Sequence, residues 1–78
     1  MRVYIVMICD RHTDPELHLF RTAEAAVNYA RAQVYERAYS PDNIVDEYEI
    51  DELDSWLYYA IYSDENDNVC VLEKELLD

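Results

Sequence analysis

None of the 78 positions in this chain is glycine. That absence constrains the fold more than any motif present. Glycine reaches positive φ without a steric penalty, so every tight turn here must be built from Asn, Asp, Ser or Pro. The absence also excludes the phosphate-cradling loops of nucleotide-binding folds, where a Cβ would intrude between backbone and phosphate. The candidate turns are "DRHTDP" at 10–15, "SP" at 40–41 and "DEND" at 64–67.

Between the turns, the residue patterns specify the elements. "RVYIVMIC" (2–9) is β-branched and apolar on both alternating faces, as in a strand with neighbours on both sides. Val3, Ile5, Met7 and Cys9 point one way; Tyr4, Val6 and Ile8 point the other. "ELHLF" (16–20) pairs back as a hairpin. Thr22 is a helix N-cap, and "AEAAVNYARAQVYERAY" (23–39) is rich in helix formers. Ala23, Ala26, Val27, Ala30 and Val34 form an apolar stripe at helical spacing, while Arg31, Gln33, Glu36 and Arg37 read as solvent-facing. Ser40-Pro41 marks either a short second helix or a turn into an irregular acidic segment. "SWLYYAIYS" (55–63) and "NVCVLEKEL" (68–76) form a second hairpin. The charged end of the last strand suits a sheet edge or a frayed terminus. In the aromatic strand, alternation assigns Leu57, Tyr59 and Ile61 to the core and leaves Trp56, Tyr58 and Tyr62 open to either face.

The expected architecture is therefore one α+β domain over residues 1–78: a four-stranded antiparallel sheet in ββαββ order with one helix packed on one face. A chain this short buries only roughly 60% of its unfolded surface, so its stability margin is thin. No apolar run approaches the ~20 residues of a membrane span. The start, "MRVYIVMICD", lacks a small-residue cleavage site, which points to the host cytoplasm. Cys9 and Cys70 sit in apolar runs and read as reduced thiols.

Charge divides the chain in two. Residues 1–40 balance five arginines against five acids; residues 41–78 hold thirteen acids against Lys74, the entire net charge of −12. Like charges this dense repel, which weakens a small domain unless a basic partner compensates. Direct nucleic-acid binding is disfavoured, since the basic grouping of Arg21, Arg31 and Arg37 is small and interleaved with acids. No cofactor motif is present.

A short, acidic, tyrosine-rich, glycine-free chain resembles the small inhibitor proteins of phages and mobile elements, of which anti-CRISPR proteins and other DNA mimics are members. The resemblance is one of composition. It implies a non-enzymatic inhibitor of a basic nucleic-acid-binding protein, such as a CRISPR effector complex, with carboxylates standing where phosphates would. The residues it assigns to partner binding are Asp46, Glu47, Glu49, Asp51, Glu52, Asp54, Asp64, Glu65 and Asp67 for charge. Tyr48, Trp56 and Tyr58 serve as apolar anchors. Two other readings stand beside it. One is a small adaptor, monomer or homodimer, that acts through a strand edge or a tyrosine face. The other is a metal-dependent enzyme using Cys9, His12 and His18, although Cys9-x-x-His12 has no second matched pair. The turn reading of 10–15 gives Asp10 and Asp14 the local hydrogen bonds and leaves Arg11 and His12 in water.

Overall fold

The computed structural model describes residues 1–38, 41–49, 56–63 and 65–77, the side chains of Pro41, Glu49 and Trp56 excepted. The helix α1 spans Ala23–Ala38. It starts as the sequence requires: Thr22 Oγ1 accepts the backbone N–H of Ala25 at 3.2 Å, satisfying one of the open first-turn donors. Glu24 in the first turn and Arg37 in the last complement the helix dipole. Ala26, Ala30, Val34 and Ala38 form the buried stripe, and their small side chains let α1 lie close against a sheet.

Among the described residues, that sheet has five strands rather than four. They are β1 (Arg2–Cys9), β2 (Glu16–Phe20), β3 (Asp46–Glu49), β4 (Trp56–Ile61) and β5 (Asn68–Glu75), antiparallel throughout and ordered β2-β1-β5-β4-β3. The extra strand is the acidic "DEYE" segment, which reads as irregular by propensity. It forms because β4 offers an open edge, a case of tertiary pairing overriding local preference. A single 3-10 turn at Pro41–Asn43 stands where a short second helix was one expectation. The β5 strand is central, not an edge: it pairs along its whole length with β1 and with β4 on its other side. Its charged end is accommodated because Glu73 and Glu75 meet Arg2 and the amino terminus.

The glycine-free turns are solved as expected. Asn66 is the single non-glycine residue at positive φ (65°) among the described residues, in the β4–β5 turn. Ser63 Oγ accepts the N–H groups of Glu65 and Asp67 there, replacing the backbone freedom that a glycine would give.

The core lies between α1 and one face of the sheet. Val6 and Ile8 of β1, Tyr58 and Ala60 of β4, and Val69 and Val71 of β5 are fully buried there. Each large apolar side chain in that layer contributes on the order of 1.5–3 kcal/mol. The expected face assignment of β4 is thus reversed. Tyr58 and Tyr62 are buried, while Leu57, Tyr59 and Ile61 are only partly so. Ala60 explains the choice: a small residue opposite the alanine stripe permits close packing that Tyr59 would block. A register shift between Trp56 and Tyr58 also breaks the expected alternation, setting Trp56 opposite Leu72 and Tyr58 opposite Val71.

Among the described residues, no helix packs on the other sheet face. Cross-strand registers align two apolar rows on it. One runs Leu19–Ile5–Leu72, the other Leu17–Met7–Cys70–Tyr59–Tyr48 across all five strands. Cys9 and Cys70 are free thiols, and burial pushes the Cys70 thiol up to about 11.

Candidate functional site

The acids expected to form one patch divide into two groups. The first is the β3 edge. Asp46, Glu47 and Tyr48 are exposed on a strand that ends the sheet, and Glu49 is the last residue of that strand. Asp46 and Tyr48 lie opposite Ile61 and Tyr59 of β4 and so share the open face. The rings of Tyr48 and Tyr59 stack at 6.4 Å, leaving Tyr48 half exposed. Glu47 points to the helix side, where one carboxylate oxygen accepts the Tyr35 hydroxyl at 3.1 Å and the other the Tyr58 hydroxyl at 2.6 Å. Burial, and then this bond, pushes Tyr58 far above the usual phenol range. The bond to Glu47 raises Tyr35 as well. Tyr58 is therefore a core residue, not a partner anchor, and its ring carries the Arg31 guanidinium at 5.6 Å from the centroid. Asp51, Glu52, Asp54 and Asp64 lie outside the described residues, and no side-chain placement is assigned to Glu49 or Trp56.

The second group surrounds the β4–β5 turn, and its described members, Glu65 and Asp67, are engaged within the protein. Asp67 is buried; it accepts the Arg11 backbone N–H at 2.9 Å and the Ser63 hydroxyl at 3.0 Å. Glu65 pairs with the Arg11 guanidinium. These two residues staple the β4–β5 turn to the β1–β2 turn, so neither belongs to a free acidic surface. Arg11 is exposed as expected, but it is engaged.

Residues 10–15 form a reversal, with Thr13 N–H donating to the Asp10 carbonyl at 3.1 Å. Asp10 does more than hold that turn. One carboxylate oxygen accepts the His12 N–H at 2.8 Å; the other accepts the Tyr62 hydroxyl at 2.6 Å and faces Arg37 at 3.5 Å. The Tyr62 hydroxyl, then the His12 N–H, hold the Asp10 carboxyl below its usual range. Burial, and then the Asp10 carboxylate, raise Tyr62 well above the phenol range. Arg37, expected in water, is largely covered and also reaches Glu16 at 3.1 Å. Burial works against its charge, but the facing Tyr62, Glu16 and Asp10 more than offset that.

These groups line an open cavity of about 850 Å³ beneath the C-terminal end of α1, with Asp42, Asn43 and Ile44 on its far wall. Within it Asp10, His12 and Asp67 each offer a ligand atom within 4.8 Å of one another. This is the metal-ligating set the fold assembles among the described residues. It differs from the Cys9, His12 and His18 set expected from the sequence. Register explains why: Cys9 follows Met7 on the open face, whereas His18 lies opposite Val6 on the helix face, against Tyr29. Both carboxylates of the assembled set already accept protein donors, and Asp10 also faces Arg37, while His12 lies exposed at its edge. Sequence reasoning missed Tyr62 and Arg37 here, because Arg37 lies at the end of α1 and Tyr62 after β4, both far from Asp10 in sequence.

Comparison with known protein families, characterised proteins and solved structures returns no match. Among the described residues no helix is long and apolar enough to cross a membrane.

Proposed function

We propose that the protein is a non-enzymatic binding protein that uses its β3 edge to occupy the positively charged surface of a nucleic-acid-handling protein. The observation that carries this reading is the placement of "DEYE" as an exposed edge strand, with more acids following in sequence at 51, 52 and 54. Three arginines are engaged away from it: Arg2 on Glu73 and Glu75, Arg11 on Glu65, and Arg37 on Asp10 and Glu16; Arg31 lies on the helix side of the edge, over the Tyr58 ring. Asp46 has no ion pair among the described residues. Tyr48 beside it supplies apolar contact area with a polar tip.

The mechanism is occupancy. Carboxylates take the positions of phosphates in a Lys/Arg groove, which accelerates encounter and fixes orientation, while the aromatic contact slows release. A CRISPR effector channel, basic along its length, is a surface of this kind. The test is capture from a lysate of the native host at low salt. Captured proteins should be basic nucleic-acid binders, released by duplex DNA and by salt. The variant Asp46→Lys/Glu49→Lys should capture none of them. Glu47 stays unchanged because it holds Tyr35 and Tyr58. Capture that survives the double reversal, or that DNA does not compete away, sinks the reading.

A further inference from the structure

We infer that the uncovered sheet face is a self-association surface, on which a second copy of this chain stacks to make a two-layer β-sandwich. This goes beyond the β3-edge reading: it concerns the whole open face, of which Asp46 and Tyr48 form only one margin.

The face is apolar where the rest of the molecule is acidic. Two cross-strand rows fill its middle, and Leu17 and Leu19 stand 65% and 69% exposed at the β2 side. Contiguous apolar surface of this kind marks a contact site. The charged residues that register places on this face among described positions are Lys74, opposite Val3 at one end, and Asp46, opposite Ile61 at the other. Lys74 lies six residue steps along β5 from the Asn68 position in line with Asp46, about 20 Å.

Charge selects the occupant. A basic partner finds one carboxylate on this face and an opposing lysine. A second copy finds an equally neutral face, while a net charge of −12 disfavours contact through the acidic surfaces. A two-fold axis running across the strands sets the two sheets antiparallel, so each copy's Lys74 end lies over the other's Asp46 end. Such stacking matches aligned sheet packing, with layers about 10 Å apart. Five strands at about 4.8 Å by about 20 Å of length bury on the order of 1,000 Å² in the pair, the lower bound for a specific interface and consistent with a micromolar dimer. Glu47, which points to the helix side, and the Asp10–Asp67 carboxylate cluster stay outside it, while Asp46 and Tyr48 lie at its margin.

The test is sedimentation equilibrium of the full chain from micromolar to millimolar concentration, at ~0.15 M and ~1 M salt. The expected result is association to twice the 9.3 kDa chain mass, tightening as salt screens the acids. Binding to a basic surface has the opposite salt dependence, so the two ideas fail separately. Leu17→Asp/Leu19→Asp alters side chains already in water and should give a folded monomer. Tyr48→Asp, at the far side of the sheet, should weaken the dimer about tenfold. Monomeric wild type at every concentration and both salts overturns the proposal. So does a dimer that ignores Tyr48→Asp, since pairing through the β2 edge alone would behave that way.

Discussion

The segments "DEYE" (46–49) and "DEND" (64–67) carry three acids in four residues each, and by composition they are interchangeable. In the fold they differ in every respect that matters for binding. The first is an edge strand with Asp46 in water and Tyr48 beside it. The second is a turn whose Asp67 is buried and whose Glu65 is paired to Arg11. What separates them is the first half of the chain. Arg11 reaches the turn because β1 and β5 are neighbours, so the β1–β2 reversal sits against it. The β3 strand is three strands removed from β1 and out of Arg11's reach; the arginine near it is Arg31, held over the Tyr58 ring on the helix side. Net charge therefore says little about a patch until the topology shows which acids the arginines can meet.

The comparison is most sharply tested at Asp67. Asp67→Asn leaves the buried Arg11 N–H and Ser63 hydroxyl poorly satisfied and should cost about 2–3 kcal/mol by urea denaturation, a large share of a small domain's stability. Tyr62→Phe comes next, removing the hydrogen bond to the Asp10 carboxylate for about 1–2 kcal/mol. Tyr58→Phe should cost a similar amount through Glu47.

The pH profile follows from the same bonds. The Asp10 carboxyl is lowered in the folded state, so as pH falls the unfolded chain takes up that proton first. Its contribution is complete above about pH 4 and lost as pH falls through the lower folded value. Tyr58 and Tyr62 are raised. Their contribution is complete below about pH 10 and lost as pH rises beyond it, so two phenols should ionise only with unfolding. Tyrosinate absorbance followed alongside circular dichroism checks this; free titration of all eight tyrosines in the folded protein would contradict it.

The smallest effects belong to exposed acids. Glu65→Gln, which loses a surface ion pair, should cost no more than about 0.5 kcal/mol. Asp46→Lys should leave stability within about 0.5 kcal/mol, because it touches nothing buried and relieves repulsion.

Much of the scaffold was readable from residue order. Thr22, the alanine stripe and the two outer hairpins follow from capping and periodicity, and Asn66 fills the turn that a glycine would otherwise take. The strand at 46–49 was not readable, since three acids in four residues argue against a strand and only the open edge of β4 creates one. The burial of Tyr58 was hidden for a related reason. Alternation identifies two faces of β4 but not which one meets the helix, and that choice rests on Ala60 and on carboxylates waiting for the hydroxyls. The link between Asp10, Tyr62 and Arg37 spans three elements and leaves no trace in local spacing.

The most direct measurement sets Asp46→Lys/Glu49→Lys against Asp67→Asn in the same capture experiment, with folding of each followed in parallel. The account predicts that the edge variant folds like wild type yet captures no DNA-displaceable protein. The turn variant should lose stability, while whatever fraction remains folded still captures. Capture abolished by the turn change in fully folded protein, or kept by the edge variant, would contradict it.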